Sequence, residues 1–394
     1  MIQSAALFVF PWDFMDEGVD GLVGRAVDLG VTHLILVSHY HAGYFLYTHN
    51  PKRKVHLLED GVAYFWPDDS AYADGPIRPK IAQMCTRIDW FDKICRRATA
   101  AGLKMIAWTV FCHNTRIGLE HPQAAICNVF GDIYPHALSP GHPHTEAFAR
   151  GLVADLAKRY PLDAIFLEAR DYRKRRHGGT WVSGHHHERD GVHLRELESM
   201  LMDISFNQAD IENASKQGVD MKALQAATRN HLEQYFTRAP DEPTELPATV
   251  EAFGRQNPAL ADYQRYIRQV ESDFMAQLRG EAQPHGVKLL GGLDPAVDLV
   301  MVGAYGLSCD DMVAAIRRVQ PKLTDRQSMA VLLRMGFYSP DMGTPILSQA
   351  QMEQYVQTAA DEGAEMIGFY NYAEAPLRSV QWIKPALARL NHRA

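Results

Sequence analysis

The sequence lacks an excess of positive charge. Its formal net charge is −7 over 394 residues, with 40 Lys and Arg against 47 Asp and Glu. A nucleic-acid-binding face must neutralise phosphates, so that class is excluded as the main function. Cysteine is scarce: Cys85, Cys95, Cys112, Cys127 and Cys309, with no C-x-x-C spacing. An odd, scattered set reads as free thiols in a reducing compartment. Long apolar runs are missing too. The first, AALFVF, runs straight into Pro11-Trp12-Asp13 and has no basic stretch before it, so it does not read as a signal peptide. No run approaches the roughly 18 residues of a membrane helix. No G-x-G-x-x-G follows the first apolar run, and no G-x-x-x-x-G-K-[ST] occurs. The expectation is a soluble, cytoplasmic protein without a membrane or nucleic-acid partner and without a cofactor. A homo-oligomer is compatible with the sequence.

What is present is 46% apolar content, ample for a large core, arranged in a repeating order. Short apolar runs alternate with helical patterns: residues 5–10, 32–37, 103–111, 162–168, 287–292, 297–305, 329–338 and 364–372. Runs apolar on both faces suit parallel strands covered by helices. Gly30 and Gly102 stand where helices should end. The pattern predicts an α/β fold, a (β/α)8 TIM barrel, as one domain over 1–394. One join is awkward. Only about four residues separate the fifth run from the sixth, too few for a crossover helix of a dozen or more. Either that helix is missing or one of the two strands is misread. An open, doubly wound sheet is the alternative.

Between the fourth and fifth runs lie roughly 118 residues, too many for a loop. Leu194, Leu197, Leu201 and Ile204 share one helical face, and so do Leu260, Tyr263, Ile267, Val270, Phe274 and Leu278. The stretch between them, 239–258, holds four prolines and reads as a connector. The expectation is a helical insertion subdomain over 190–285, near the C-terminal face of the barrel.

In such a barrel, chemistry sits at the C-terminal ends of the strands. Those ends read FPWDF, SHYHAGYF, WTVFCHN, EARDY, GGLDP, AYG, GFYSP and FYNYAEAP. Aromatic faces stack on sugar rings, while acids, His and Asn bond hydroxyls. Each aromatic alone is explained by strand preference; the whole ring predicts a pocket with apolar walls and convergent polar groups. Trp12, Asp13, His39, His41, Trp108, Arg170, Tyr305, Arg334, Tyr338, Tyr370 and Asn371 are the expected substrate-binding residues. His39 and His41 flank Tyr40, one expected at the mouth and the other in the wall.

Glu168 is the leading catalytic candidate. It follows apolar strand residues and should lie partly desolvated at the mouth, where burial favours the protonated form that a general acid needs. The structural alternative is an ion pair with Arg170. The segment 137–169, ALSPGHPHTEAFARGLVADLAKRYPLDAIFLEA, resembles the third-helix-to-fourth-strand segment of bacterial TIM-barrel glycoside hydrolase-like families. The resemblance implies a glycosidase fold, with Glu168 matching the acid at the end of strand four. Two features depart from the large retaining clan. Leu167, not Asn, precedes Glu168, and strand seven ends without a glutamate. The retaining mechanism therefore does not carry over.

A glycosidase usually needs a second carboxylate. Glu374 and Asp294 are the leading candidates, ahead of Asp13 and Asp171. Asp294-Pro295 is also a turn initiator. Asp310 and Asp311 are weaker, because Ser308-x-x-Asp311 reads as a helix cap. The run His185-His186-His187-Glu188 follows glycines and reads as a polar loop. The zinc patterns with a mechanism are absent, and no metal is expected there. The basic run Arg173-Lys174-Arg175-Arg176 is a solvated loop or the contact for an anionic substrate group. The reading is an enzyme hydrolysing a small carbohydrate, neutral or anionic. A metal-dependent isomerase or epimerase of the xylose-isomerase-like type would instead use Glu168, Asp294, Glu374 and a histidine as ligands. A non-catalytic sugar-binding barrel is the third reading.

Overall fold

The computed structural model of the chain describes residues 2–172, 192, 194–239, 242–335, 346 and 348–391. Tyr338, the basic run 173–176 and the histidine run 185–188 lie outside these. Parallel strands form the centre: β1 (Ser4–Val9), β2 (His33–Tyr40), β3 (Lys104–Val110), β4 (Leu162–Glu168), β5 (Lys288–Gly291), β6 (Leu299–Ala304), β7 (Ser328–Arg334) and β8 (Met366–Tyr370). Each pairs with its successor and β8 pairs back onto β1, closing a (β/α)8 barrel. All eight strands fall on the apolar runs of the sequence.

Alternation along the strands makes two apolar layers. Outward residues such as Leu36, Met105, Ile165, Leu167, Val300 and Leu333 pack beneath the helices. Inward residues such as Phe8, Val37, Ile106, Phe166, Leu290 and Leu332 fill the interior. Gly368 belongs to this inner layer, and a Cβ there would lie 2.3 Å from Leu332 Cδ2, so only glycine fits beside that leucine. Gly30, in the left-handed region at φ 80°, ends the helix Val19–Leu29 as the sequence implied. At the N-terminal end of the barrel, Asp163 is surrounded by His33, Lys104 and Lys288 at 3.5 to 3.7 Å. The His33 hydrogen bond first, then the lysine charges, hold its carboxyl down at about 2.

The awkward join resolves as a missing helix. Residues 292–298 return the chain directly, and β6 begins at the height where β5 ends: Leu290 pairs with Leu299, and Gly291 with Val300. Ala296 and Val297 of this turn are buried in the strand–helix layer and occupy the place of the absent helix.

The expected helical region contains the helices Glu196–Met202, Gln208–Lys216, Met221–Thr237, Val250–Gln256 and Ala259–Ala282. Two details differ from the sequence reading. The second half of the connector is a helix, capped by Thr249, whose side chain accepts from Ala252 N, and anchored by buried Phe253. The helix Ala259–Ala282 serves two cores. Leu260, Tyr263 and Tyr266 join a separate cluster with Leu197, Leu201 and Leu232, whereas Phe274, Met275 and Leu278 join the barrel's outer layer. Its second half is thus the barrel's own crossover helix before β5. The separate cluster is completed by Val129 and Phe130 from the connection between β3 and β4, so these helices pack at that side of the mouth.

Asp210 ties them there. Its buried carboxylate accepts from Ser139 Oγ at 2.9 Å, Tyr172 OH at 2.8 Å and Ser205 Oγ at 2.5 Å. A further excursion, 41–89, was not anticipated. It builds a hairpin from Tyr44–Leu46 and Val55–Leu57, and lays Val62–Ala63 antiparallel on the end of β2. No described helix is long and apolar enough to cross a membrane.

Candidate active site

Inward positions on β4 are Ala164 and Phe166, so Glu168 follows them to the inner face at the mouth. The chain then leaves the strand through Ala169, which takes the left-handed region at φ 54°. The indole Nε1 of Trp108, inward on β3, donates to Glu168 Oε2. Trp108 cannot swing away. Its ring is wedged between Phe8, Phe10, Tyr40 and Tyr370 at centroid distances of 5.3, 5.5, 5.0 and 5.9 Å. Glu168 is half-buried, and among the described residues it is not ion-paired with Arg170.

Across the mouth, Glu374 sits in the turn after β8. Asn371 Nδ2 donates to its Oε2 at 2.9 Å, and Glu374 N donates back to Asn371 Oδ1 at 2.9 Å. Burial pushes the Glu374 carboxyl upward, against the pull of the Arg334 charge and the Asn371 hydrogen bond. Tyr305, Tyr370 and Tyr40 stand around the same space. Burial raises all three hydroxyls, and the charge of Glu168 adds to each. Glu374 acts on Tyr40 and Tyr370 as well, so both carboxylates act on the same two tyrosines.

The interior is not filled on one side. Met301 and Gly303 face inward on β6, in register with Ala330 and Leu332 of the inner layer. Yet Met301 is half-buried and Gly303 is exposed. Among the described residues, a Cβ at 303 would meet only the Tyr305 ring, at 3.7 Å. A hollow therefore descends into the barrel beside Tyr305. Tyr40, Met301 and Gly303 were not singled out from the sequence. The signal for the last was an unbroken strand pattern interrupted by one glycine, which marks a close approach or an open space.

The structure brings together Glu168, Glu374, Trp108, Tyr305, Tyr370, Arg334 and Asn371. Arg170 does not join them: its Nε is 3.9 Å from where a Cβ of Gly291 would stand, beside Leu167 and Val297 of the outer layer, and its Nη2 is 3.1 Å from that of Gly292. His41 is at the rim, stacked on Tyr40 at 4.2 Å and 4.3 Å from His113. The other expected residues are elsewhere. His39 is fully buried behind the wall: Nδ1 contacts Val110 O at 2.6 Å, the ring meets Phe148, and burial lowers its pKa to about 4. Trp12 and Asp13 are in the first turn of the helix Pro11–Glu17, because Pro11 ends the strand geometry. Asp13 accepts from Phe10 N at 2.9 Å and is buried, which pushes its carboxyl well up; the Glu374 charge adds to this, so Asp13 sits behind the mouth within reach of that carboxylate. Trp12 stacks on Phe10 and borders a cavity of about 290 Å³ with Met15, His56, Tyr64 and Met84, none of them a mouth residue.

Asp294 is the turn former its sequence allowed. Its Oδ1 accepts from Ala296 N at 2.8 Å, and its carbonyl accepts from Gln327 Nε2 at the entry to β7, the opposite end of the barrel from the mouth. Ser308 caps the helix Cys309–Val319 through Asp311 N. Among the described residues no group of three or more His, Cys, Asp or Glu could hold a metal ion. Asp294 does not join Glu168 and Glu374, so the ligand set of the isomerase reading is not assembled from them.

No family model matches the sequence, and no curated protein matches it. Solved structures do. An α-L-fucosidase isoenzyme 2 from Paenibacillus thiaminolyticus superposes with TM-score 0.56 at 12% identity, over 99% of this chain and 49% of that one. A β-galactosidase from the psychrophilic Marinomonas ef1 superposes with TM-score 0.57 at 13% identity, over 99% of this chain and 59% of that one. The chain shares their barrel fold. It spans about half the length of these two enzymes.

Proposed function

We propose that the chain is a glycoside hydrolase that cleaves a glycosidic bond of a small carbohydrate at the open end of the barrel. The observation that carries this reading is Glu168 itself: an inward carboxylate at the end of β4, held by the Trp108 indole, near an unfilled hollow and a second carboxylate, Glu374. Glycosidic hydrolysis usually needs two such groups. Glu168 acts as the general acid/base that protonates the leaving oxygen. Glu374 is the second carboxylate, positioned by Asn371. Tyr305 and Tyr370, both half-buried, offer ring edges and hydroxyls to the sugar. The upward push on Glu374 favours a second assignment, in which Glu374 holds the proton and the roles exchange.

The test compares Glu168→Gln and Glu374→Gln on an activated aryl glycoside and on a natural glycoside with a poor leaving group. Loss of the general acid should lower kcat on the natural substrate by roughly 10²–10⁴-fold, with KM nearly unchanged, and spare the activated one. If Glu374→Gln shows that selective rescue, the roles are exchanged. If both variants keep full activity, the mouth is not the catalytic site. Sugar binding without turnover in the unmodified chain would leave a sugar-binding barrel.

A further inference from the structure

We propose that the hollow beside Tyr305 takes a sugar bearing an anionic oxygen group, a carboxylate as in a uronic acid, and that Arg334 reads that group. This rests on the hydrolase reading only for the bond cleavage after binding; the recognition stands on its own observations. Arg334 ends β7 two residues beyond inward-facing Leu332, so it points into the mouth. Its Nη1 is buried and has no hydrogen-bond partner among the described residues. A buried guanidinium N–H without an acceptor is costly, and the cost is relieved when an acceptor arrives.

Other arginines of this molecule are satisfied at home. Arg25 pairs with Glu17 at 2.8 Å, Arg53 with Asp16 at 2.9 Å, Arg150 with Glu281 at 2.7 Å and Arg279 with Asp298 at 2.9 Å. Neither Arg334 nor Arg170 is ion-paired to a described carboxylate. Arg170 lies on the outer side of β5, along Gly291 with Leu167 and Val297, and is not part of the site. Arg334 flanks β6, the strand where Gly303 is exposed, and its charge acts on both Tyr305 and Glu374. A planar guanidinium with parallel N–H groups matches the two oxygens of a carboxylate, which sets an acid sugar apart from its neutral counterpart.

The test is equilibrium binding to the full chain, which needs no turnover. Free glucuronate, galacturonate, a sulfated monosaccharide and the neutral sugars are titrated by calorimetry at low salt and at physiological salt. The expected result is at least about tenfold tighter binding of an anionic sugar than of its neutral counterpart, with the difference shrinking at higher salt. Arg334→Gln should erase most of that preference, Arg334→Lys should keep part of it, and Arg170→Gln, on the outer side of β5, should leave it unchanged. If Arg334→Gln fails to fold, the Arg334→Lys variant and the salt dependence carry the decision. Preference for the sulfated over the uronic sugars would keep the anion site and overturn the carboxylate. Equal or tighter binding of neutral sugars would overturn the proposal. Arginine-dependent binding without hydrolysis of any glycoside would retain it while the hydrolase reading falls.

Discussion

Two carboxylates at opposite ends of the barrel are perturbed in opposite directions. Asp163, at the base, is held down at about 2 by His33 and two lysines. Its stabilising contribution is fully present above the usual aspartate range, near 3.8, and is lost as pH falls toward 2. Asp163→Asn should therefore cost on the order of 2 kcal/mol at neutral pH, and little in strong acid. Glu374, at the mouth, is pushed up by burial. Folding is then favoured below the usual glutamate range, near 4.5, and that advantage is lost as pH rises through the raised value. Glu374→Gln should melt above the unmodified chain at neutral pH, and the gain should vanish below about pH 4.5. Thermal melts of both variants across pH check the two signs; a fall in melting temperature for Glu374→Gln at neutral pH would refute the second. The position of Glu168 was legible because the irregularity of its strand lies between Leu162 and Ala164, and the alternation from Ala164 onward is regular. The position of His39 was not. A bulge between Val37 and His39 shifts the register of β2, so that Tyr40 takes the inward place after Val37.

At the level of elements, the strands could be read because burial on both faces makes them continuously apolar. The missing helix after β5 was legible as a spacing too short to hold one. The line between helical region and barrel was not, because the helix Ala259–Ala282 shows one uninterrupted apolar face while serving two cores. No local pattern reports which core a leucine enters. The Asp210 junction was equally invisible, since its partners Ser139, Tyr172 and Ser205 lie far apart in sequence or look like ordinary loop residues. Asp210→Ala would orphan three buried hydroxyls and should cost on the order of 3 kcal/mol. Asp210→Asn keeps an acceptor and should cost less. Urea denaturation of the two variants tests this, and equal losses would argue against the hydroxyl network as the main tie.

For the whole molecule, the polar chemistry is divided between a base that stabilises and a mouth that is left incompletely satisfied, as expected where strand ends serve function. The join between β5 and β6 bears on how this wall moves. Only two residue pairs register that seam, Leu290 with Leu299 and Gly291 with Val300, whereas β6 and β7 share six. No described helix connects the two strands, the helix Ala259–Ala282 reaching the turn through Arg279 on Ala296 O and Asp298, and Gly303 on the neighbouring wall is exposed. Each amide proton exchanges through the lowest-energy opening that exposes it, so a weakly tied segment exchanges before the rest of its sheet. The backbone from Lys288 to Val300 should thus take up deuterium well before Ser328–Arg334, without global unfolding. A saturating sugar in the hollow should slow that uptake. Uniform protection around the barrel would contradict it. With early exchange at the seam, the closed ring of strands behaves, in solution, as a cylinder with a slit, and the slit opens beside the site where a ligand has to enter.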